Sequence, residues 1–523
     1  MIELTSNIAK YRFSTDQVKK HKRAKPEKSS WKQSMRKIID LQMEFWEKDI
    51  ANIKFDLQSR DEITKLLMGL QHIYCLAPLR EKVFAVLKQI VPRKNRETGR
   101  PGMDLWKILV LGTLRLNCNW DYDKVHEIAN NHNKLRQMLG HRENDFDSEY
   151  ALQTIRDNIA LLTPQILGEI SQLVVNAGLH IATPEKKPQL KGSCDSFVVE
   201  TDVHYPTDTN LLYDAMRKMI TLIAIICSEI DVTFWRQSHH NIKKIKRLLR
   251  AIQKLRRSNS KDEAKKKVRD QFIIDKHQNY INECQEFVLK VIETIRFLRA
   301  HRNLSTSQDL RLTTIEEYIH HAERQIDQIH RRIVLDEKIP HEEKVFSIFE
   351  PHTEWISKGK AGVPQELGLR VCVLKDQYGF ILHHRVMEQQ TDDKVAVTMV
   401  QEAKDRFENL TTCSFDKGYW SPENKKQLAN ILDYVVLPKK GRLSGKDKEL
   451  EHSEQFVESR RRHSAVESSI NALENHGLDR CLDRGLQGFK RYVALSVLAR
   501  NIQIIGHLIQ QKELRRQKRR LAA

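Results

Sequence analysis

TTCSFDKGYWSPENKKQLANILDYVVLP, residues 411–438, reads as one strand–helix–strand unit with a carboxylate at the end of its first strand. Thr411 to Phe415 has the Thr, Cys and Phe content of a short buried strand. Asp416 follows it, and Gly418 offers a cheap turn. Ser421 stands at a helix N-cap position with Pro422 at the first helical residue. Leu428, Ile431 and Leu432 give that helix an apolar face, and Tyr434 to Leu437 make a second strand closed by Pro438. Open α/β sheets collect ligands and catalytic groups at the C-terminal ends of their strands, so Asp416 is placed for chemistry. As a common residue after strands, Asp416 is equally readable as a turn residue.

Working outward, the chain has 523 residues, enough for roughly two to four domains. Its net charge is +20, which favours a polyanionic partner, most often nucleic acid. The longest apolar run, Met219 to Cys227, is too short to span a bilayer, and the first residues lack a signal-peptide core. Eight scattered cysteines without a CxxC pair fit reduced thiols in a cytoplasmic protein and argue against a zinc finger.

Residues 1–90 read as a basic N-terminal arm leading into helices, with helical spacing from Trp31 to Leu87. After a basic break, Leu105–Leu114, Tyr122–Ala129 and Leu135–Leu139 form short helices that suit a helix-turn-helix-like DNA reader or a plain bundle. A helix pair over Tyr150–Ala177 breaks at Thr163-Pro164, and Pro184–Lys191 is a linker. SFVVET, residues 196–201, alternates like a strand and ends at Asp202. Helical periodicity then runs from about Thr209 to Leu335. Within it, residues 241–270 hold 13 lysines and arginines against three acids, a balance of +10. Such a run is a solvated helix face or a phosphate-contacting surface, in which Lys243, Lys244, Arg247 and Arg250 are the candidates. LGLRVCVLKD and GFILHHRVM predict a hairpin, followed by a helix over Asp392–Phe407. Glu454–Gly477 predicts one helix on which Glu467 lies near Arg460, Arg461, Arg462 and His463. A last helix over Gly488–Gln511 turns Tyr492, Leu495, Leu498, Ile502 and Ile505 inward, ahead of a basic tail.

Several of these stretches carry a resemblance. RRRHSAVESSINALENHGLDRCLDRGLQGFKRYVALSVLARNIQIIG (460–506), FDKGYWSPENKKQL (415–428) and ETDVHYPTDTNLLYDAMR (200–217) resemble the DDE transposases of bacterial insertion sequences, most closely the ISNCY group. GRPGMDLWKILVLGTLR (99–115), YALQTIRDNIALLTP (150–164) and KGKAGVPQELGLRVCVL (358–374) resemble further parts of the same group.

The resemblance implies an α/β fold: a ribonuclease H-like catalytic domain with a mixed sheet and flanking helices, an α-helical N-terminal domain and a long α-helical insertion. In this sequence the implied organisation is a DNA-binding helical domain over 91–188, a catalytic domain over 189–510 interrupted by a basic helical insertion at 210–350, and a basic tail at 511–523. It implies binding of element ends, then metal-dependent strand cleavage and transfer, with Asp202, Asp416 and Glu467 holding two Mg²⁺ ions that Mn²⁺ can replace. Asp195, Glu200 and Asp208 are alternatives for the first ligand. Lys417, Arg460, Arg462 and His463 are candidates to hold phosphates of the scissile or target strand. Where relatives carry Tyr, Arg and Lys around the catalytic Glu, this chain has Arg460, His463 and Glu474. The implied partners are double-stranded DNA of element ends and target, and a second copy of the chain in a paired-end complex, with no membrane. Another ribonuclease H-like nuclease and an inactive DNA-binding regulator are the competing readings.

Overall fold

The computed structural model describes residues 35–36, 50–91, 101–141, 148–183, 185, 187–256, 262–301, 303–357 and 365–522. Most of the arm expected before residue 50, and the basic break at 92–100, lie outside them. The described chain divides into two compact units, residues 203–351 and the remainder.

In chain order the larger unit begins with a short parallel pair, β1 (Met35–Arg36) and β2 (Pro101–Gly102). Its first helices are α1 (Glu62–Cys75), α2 (Ala77–Leu87), α3 (Leu105–Asn117), α4 (Tyr122–Asn131), α5 (Asn133–Met138), α6 (Leu152–Ile159) and α7 (Pro164–Ala182), ahead of strand β3 (Leu190–Thr201). The smaller unit contributes α8 (Asp208–Glu229), α9 (Ser238–Arg256), α10 (Glu263–His301) and α11 (Thr306–Ile333). The larger unit resumes with β4 (Glu354–Ser357), β5 (Gln365–Lys375), β6 (Ile381–Met387), α12 (Asp392–Arg406), β7 (Leu410–Phe415), α13 (Pro422–Ile431) and β8 (Tyr434–Val436). It closes with α14 (Gly445–Glu451), α15 (Glu454–His463), α16 (Ala465–Leu473), β9 (Arg480–Cys481) and α17 (Gly485–Ala522).

The unit around Asp416 forms as its caps and periodicity dictate. Ser421 Oγ accepts the Asn424 N–H at 3.1 Å, which satisfies an orphan donor at the start of α13. Strands β7 and β8 pair in parallel on either side of that helix. The expected hairpin is β5–β6, and its turn uses Gly379 at φ +92°, where a side chain would be strained.

The sheet runs β4–β5–β3–β7–β8, with β6 also on β5 and β9 also on β3. Strand β3 lies at its centre, antiparallel to β5 and parallel to β7. It starts at Leu190, inside the stretch expected as a linker, because backbone pairing with β7 outweighs the polar look of Lys191, Gly192 and Ser193. Strand β7 accompanies β3 only to Cys194, and β9 joins it at Glu200, so residues 195–199 have no strand partner on that edge. Helix α12 packs over one face of the sheet, and α15 and α16 cover the other.

Helix α17 organises the larger unit. The five residues expected to turn inward are all buried, and α1, α3 and α7 pack along the helix. It is long and apolar enough to cross a membrane, and 72% of that apolar window is buried. The crossing with α1 is a backbone contact: a Cβ on Gly506 would meet the Lys65 carbonyl oxygen at 1.7 Å, and one on Gly69 the Ile502 carbonyl oxygen at 2.2 Å. The helices of residues 91–188 therefore share one core with the sheet and α17 instead of closing a core of their own. The stretch expected as a basic tail continues α17 in helical form to Ala522. The helix expected over 454–477 is broken at Ser464 into α15 and α16 and ends in a π-turn with Gly477 at φ +106°.

The smaller unit is a helical bundle with its own core, built from Met216, Ile223, Ile245, Leu249, Cys284, Ile315 and their neighbours. Tyr280 OH donates to the Thr209 carbonyl at 3.1 Å and Trp235 Nε1 to Thr294 Oγ1 at 3.1 Å, which satisfies these two polar groups within the core, whereas the Gln325 amide is buried there without a hydrogen-bond partner.

Candidate active site

Register decides which carboxylates meet. Ser193 pairs with Ser414 and Cys194 with Phe415 on the parallel neighbours β3 and β7. One step further, Asp195 lies beside Asp416, where β7 has ended and the flank of β3 is open. Directly paired residues share a face of the sheet, so both point with Ser193 and Ser414 toward α15 and α16. The Ser196 N–H donates to Asp195 Oδ1 at 2.7 Å. Burial pushes the Asp195 carboxyl up to about 6, and the charges of Asp416, Asp392 and Glu467 push the same way against the Ser196 N–H. The side chain of Asp392 is itself held by Ser196 Oγ at 2.6 Å, on the other face.

Glu467 lies in the first turn of α16. Lys375, the last residue of β5 and the partner of Ser193 through Ser193↔Lys375, donates from Nζ to the Ala465 carbonyl at 2.8 Å. That bond ties the start of α16 to the sheet two residues before Glu467. His463, at the end of α15, sets Nδ1 3.0 Å from Ser414 Oγ, which is 3.1 Å from Ser193 Oγ. Burial lowers the His463 pKa, while Asp416 and Glu467 oppose that shift, so the ring is chiefly neutral at pH 7.

Among the described residues, Asp195, Asp416 and Glu467 have no ion-pair partner. They come from a strand, a strand end and a helix, and they leave uncompensated negative charge on an open edge. Nor do any three His, Cys, Asp or Glu among the described residues form a ready-made coordination shell. Uncompensated carboxylates of this kind are hard oxygen donors of the type a divalent cation selects.

Asp202, expected as the first ligand, is not at this edge. It lies seven residues beyond Asp195, about 23 Å along an extended chain. Its side chain is 66% exposed and stands 3.9 Å from Arg480. Glu200 pairs with the same arginine at 3.3 Å, and Asp208 belongs to the smaller unit, where Arg332 holds it at 2.6 Å. SFVVET is the apolar half of β3, and a strand beginning there delivers its carboxylate at Asp202. The edge that matters is set by where β7 stops. Asp195 is the sixth residue of β3, level with the end of β7.

Lys417, Arg460 and Arg462 are all exposed near Asp416 and on α15. Arg462 bonds to Glu458 one turn earlier and lines a cavity of about 200 Å³ with Lys191, Lys375, Ser193 and Ser414. Lys375 is a functional candidate with no motif of its own. On α9, Lys243, Arg247 and Arg250 form one exposed stripe opposite Ile245, Leu249 and Ile252, while Lys244 is engaged by Glu283 at 2.5 Å.

A mixed sheet covered by helices, with two carboxylates side by side where parallel strands end, is consistent with a ribonuclease H-like DDE domain. Residues 330–502 match the family model described as the transposase DDE domain. That match supports a DDE transposase, a polynucleotidyl transferase whose partner is DNA, and it includes Asp416 and Glu467 but begins after Asp195. No curated protein and no solved structure matches the chain.

Proposed function

We propose that the chain is a DNA transposase that binds the ends of its own mobile element, cuts DNA there and joins the cut ends to target DNA. The observation that carries this is the placement of Asp195 and Asp416 one residue past the last β3–β7 pair, with Glu467 adding to the same negative field. Asp195, Asp416 and Glu467 are the metal-holding carboxylates in this reading, and Asp202 is not one of them. Two divalent ions would activate the attacking water or 3′-hydroxyl and stabilise the leaving oxygen. The protein's own share is positional. Lys375 holds the start of α16 and with it Glu467, and the Ser196 N–H fixes the rotamer of Asp195. Neutral His463 braces the Ser193–Ser414 pair beneath the carboxylates.

Lys417, Arg460 and Arg462 are exposed where a bound strand would pass, and they would hold its phosphates. The stripe of Lys243, Arg247 and Arg250 would contact duplex DNA without reading its sequence. Coordinated cutting of two ends calls for two copies of the chain. Assignment to the ISNCY group rests on the sequence resemblance.

The test is a labelled duplex carrying the terminus of the element that encodes the chain, incubated with purified protein and Mg²⁺. Cleavage at the terminus and joining to a target plasmid are expected. Cleavage without joining would make the chain a nuclease, and specific binding without cleavage a regulator.

A further inference from the structure

Helix α16 links the carboxylate site to a second feature of the larger unit. Glu467, Asn471 and Asn475 recur at four-residue steps and are all exposed on one stripe. Asn475 Nδ2 donates to Asn471 Oδ1 at 3.3 Å, and Asn475 forms part of the wall of a cavity of about 720 Å³ bounded by α1, α3 and α17. Eight residues, the last of them in the π-turn after α16, carry this stripe about 12 Å from Glu467.

Arg500 enters the cavity from α17. Its Nη1 donates to Gln503 Oε1, while its Nε is buried without a hydrogen-bond partner. No carboxylate among the described residues forms an ion pair with it. The acid that acts on it electrostatically, Glu62, is engaged by Lys65 Nζ at 2.9 Å and by Gln503. Arg500 is half-buried at the cavity wall, which Asp61 and Glu62 also line, and with Glu62 shared among Lys65 and Gln503 an anion entering the cavity would complete the guanidinium. Burial lowers its pKa accordingly. Lys65, His476 and His507 line the same wall, with Trp120 nearby. Burial also lowers both imidazoles, leaving them mostly neutral hydrogen-bonding groups at pH 7.

We propose that this cavity is a subsite for a backbone phosphate of the DNA strand that leaves the carboxylate site along α16, with Arg500 as the principal donor. The inference rests on the transposase reading above. Phosphates follow one another at about 3.4 Å along a duplex axis and roughly twice that in an extended strand. A span of about 12 Å therefore puts the bound phosphate about two to four nucleotides from the scissile one.

The experiment uses the full chain in Ca²⁺ buffer and duplexes with the element's own terminus, each carrying one uncharged methylphosphonate at a successive position beside the cleavage site. Wild-type protein is expected to lose about tenfold in affinity when a phosphate in the two-to-four-nucleotide window is neutralised. Arg500→Gln should bind the unmodified duplex about tenfold more weakly, lose its response to that one methylphosphonate, and show a salt slope lower by about 0.9. Lys65→Gln should give a smaller loss at the same position. An Arg500→Gln profile that matches wild type at every position, or a uniform loss that keeps the wild-type response, would overturn the subsite. A wild-type profile flat across the window would overturn it even if Arg500→Gln did not fold. Wild-type protein that neither binds nor cuts the terminus would instead overturn the transposase reading itself.

Discussion

Asp195 and Asp416 stand one residue past Cys194 and Phe415, the last paired residues of two adjacent parallel strands. Their backbones are neighbours although 221 residues separate the serines that pair just before them. Two carboxylates at that spacing repel each other, and burial of one of them sharpens the repulsion. In the proposed reading a divalent cation would relieve it.

The first prediction follows from that geometry. Asp195→Asn, Asp416→Asn and Glu467→Gln should each keep DNA binding and lose end cleavage by at least about a hundredfold, because an amide cannot balance a bound cation. Asp202→Asn should stay within about threefold of wild type, since an exposed ion pair contributes little. Cleavage of the labelled terminus in Mg²⁺ measures all four. Loss in Asp202→Asn with retention in Asp195→Asn would return the first carboxylate to the end of β3.

A second prediction separates engaged from free cations on α9. Replacing Lys243, Arg247 and Arg250 by Gln should flatten the salt dependence of DNA binding by roughly 2.7, about 0.9 for each lost phosphate contact. Lys244→Gln should change it little, because Glu283 already holds Lys244. Equal slopes for the triple variant and wild type would make the stripe a solvated helix face.

The β5–β6 turn sets a pH dependence of stability. Asp376 Oδ1 accepts the Tyr378 and Phe380 N–H groups at 2.9 Å each, whereas its Oδ2 is buried without a partner. Burial pushes the carboxyl from 3.8 up to about 7, against those N–H groups and Lys375. Between those values the folded chain holds the proton and the unfolded chain does not, so stability falls as pH rises through this window. The loss is complete above about pH 7 and amounts to roughly 2–4 kcal/mol. Asp376→Asn should remove most of it, which denaturant unfolding at pH 5 and pH 8 would read. Parallel pH trends in the two proteins would refute the assignment.

The fourth prediction concerns the crossing of α1 and α17. Gly506→Ala and Gly69→Ala each drive a methyl group into a carbonyl of the partner helix, and backbone cannot give way as a flexible side chain can. Each should cost about 1–3 kcal/mol by unfolding in denaturant, beyond any gain in helix propensity. The larger unit should lose stability as a whole, since α1 and the sheet share one core. A neutral or stabilising effect at both glycines would mean that the helices do not touch as described.

Local chemistry made much of this protein legible from its sequence. Ser421 and Pro422 announce α13, the alternation in SFVVET announces a strand, and the spacing from Tyr492 to Ile505 announces the buried face of α17. Each of these is written by residues within a few positions of one another, through capping, pleat and helical period. Asp416 and Glu467 were accessible in the same way, as a carboxylate after a strand and one on a helix amid basic residues. The position of Asp195 beside Asp416 was not, because it depends on where β7 stops against β3, and strand register is set by pairing between distant segments. The role of Lys375 depends on α16 lying across the end of β5. The close crossing of α1 and α17 depends on two glycines, Gly69 and Gly506, each meeting the backbone of the other helix. Hydrophobic period specifies that a face is buried, but only the packed structure decides against what.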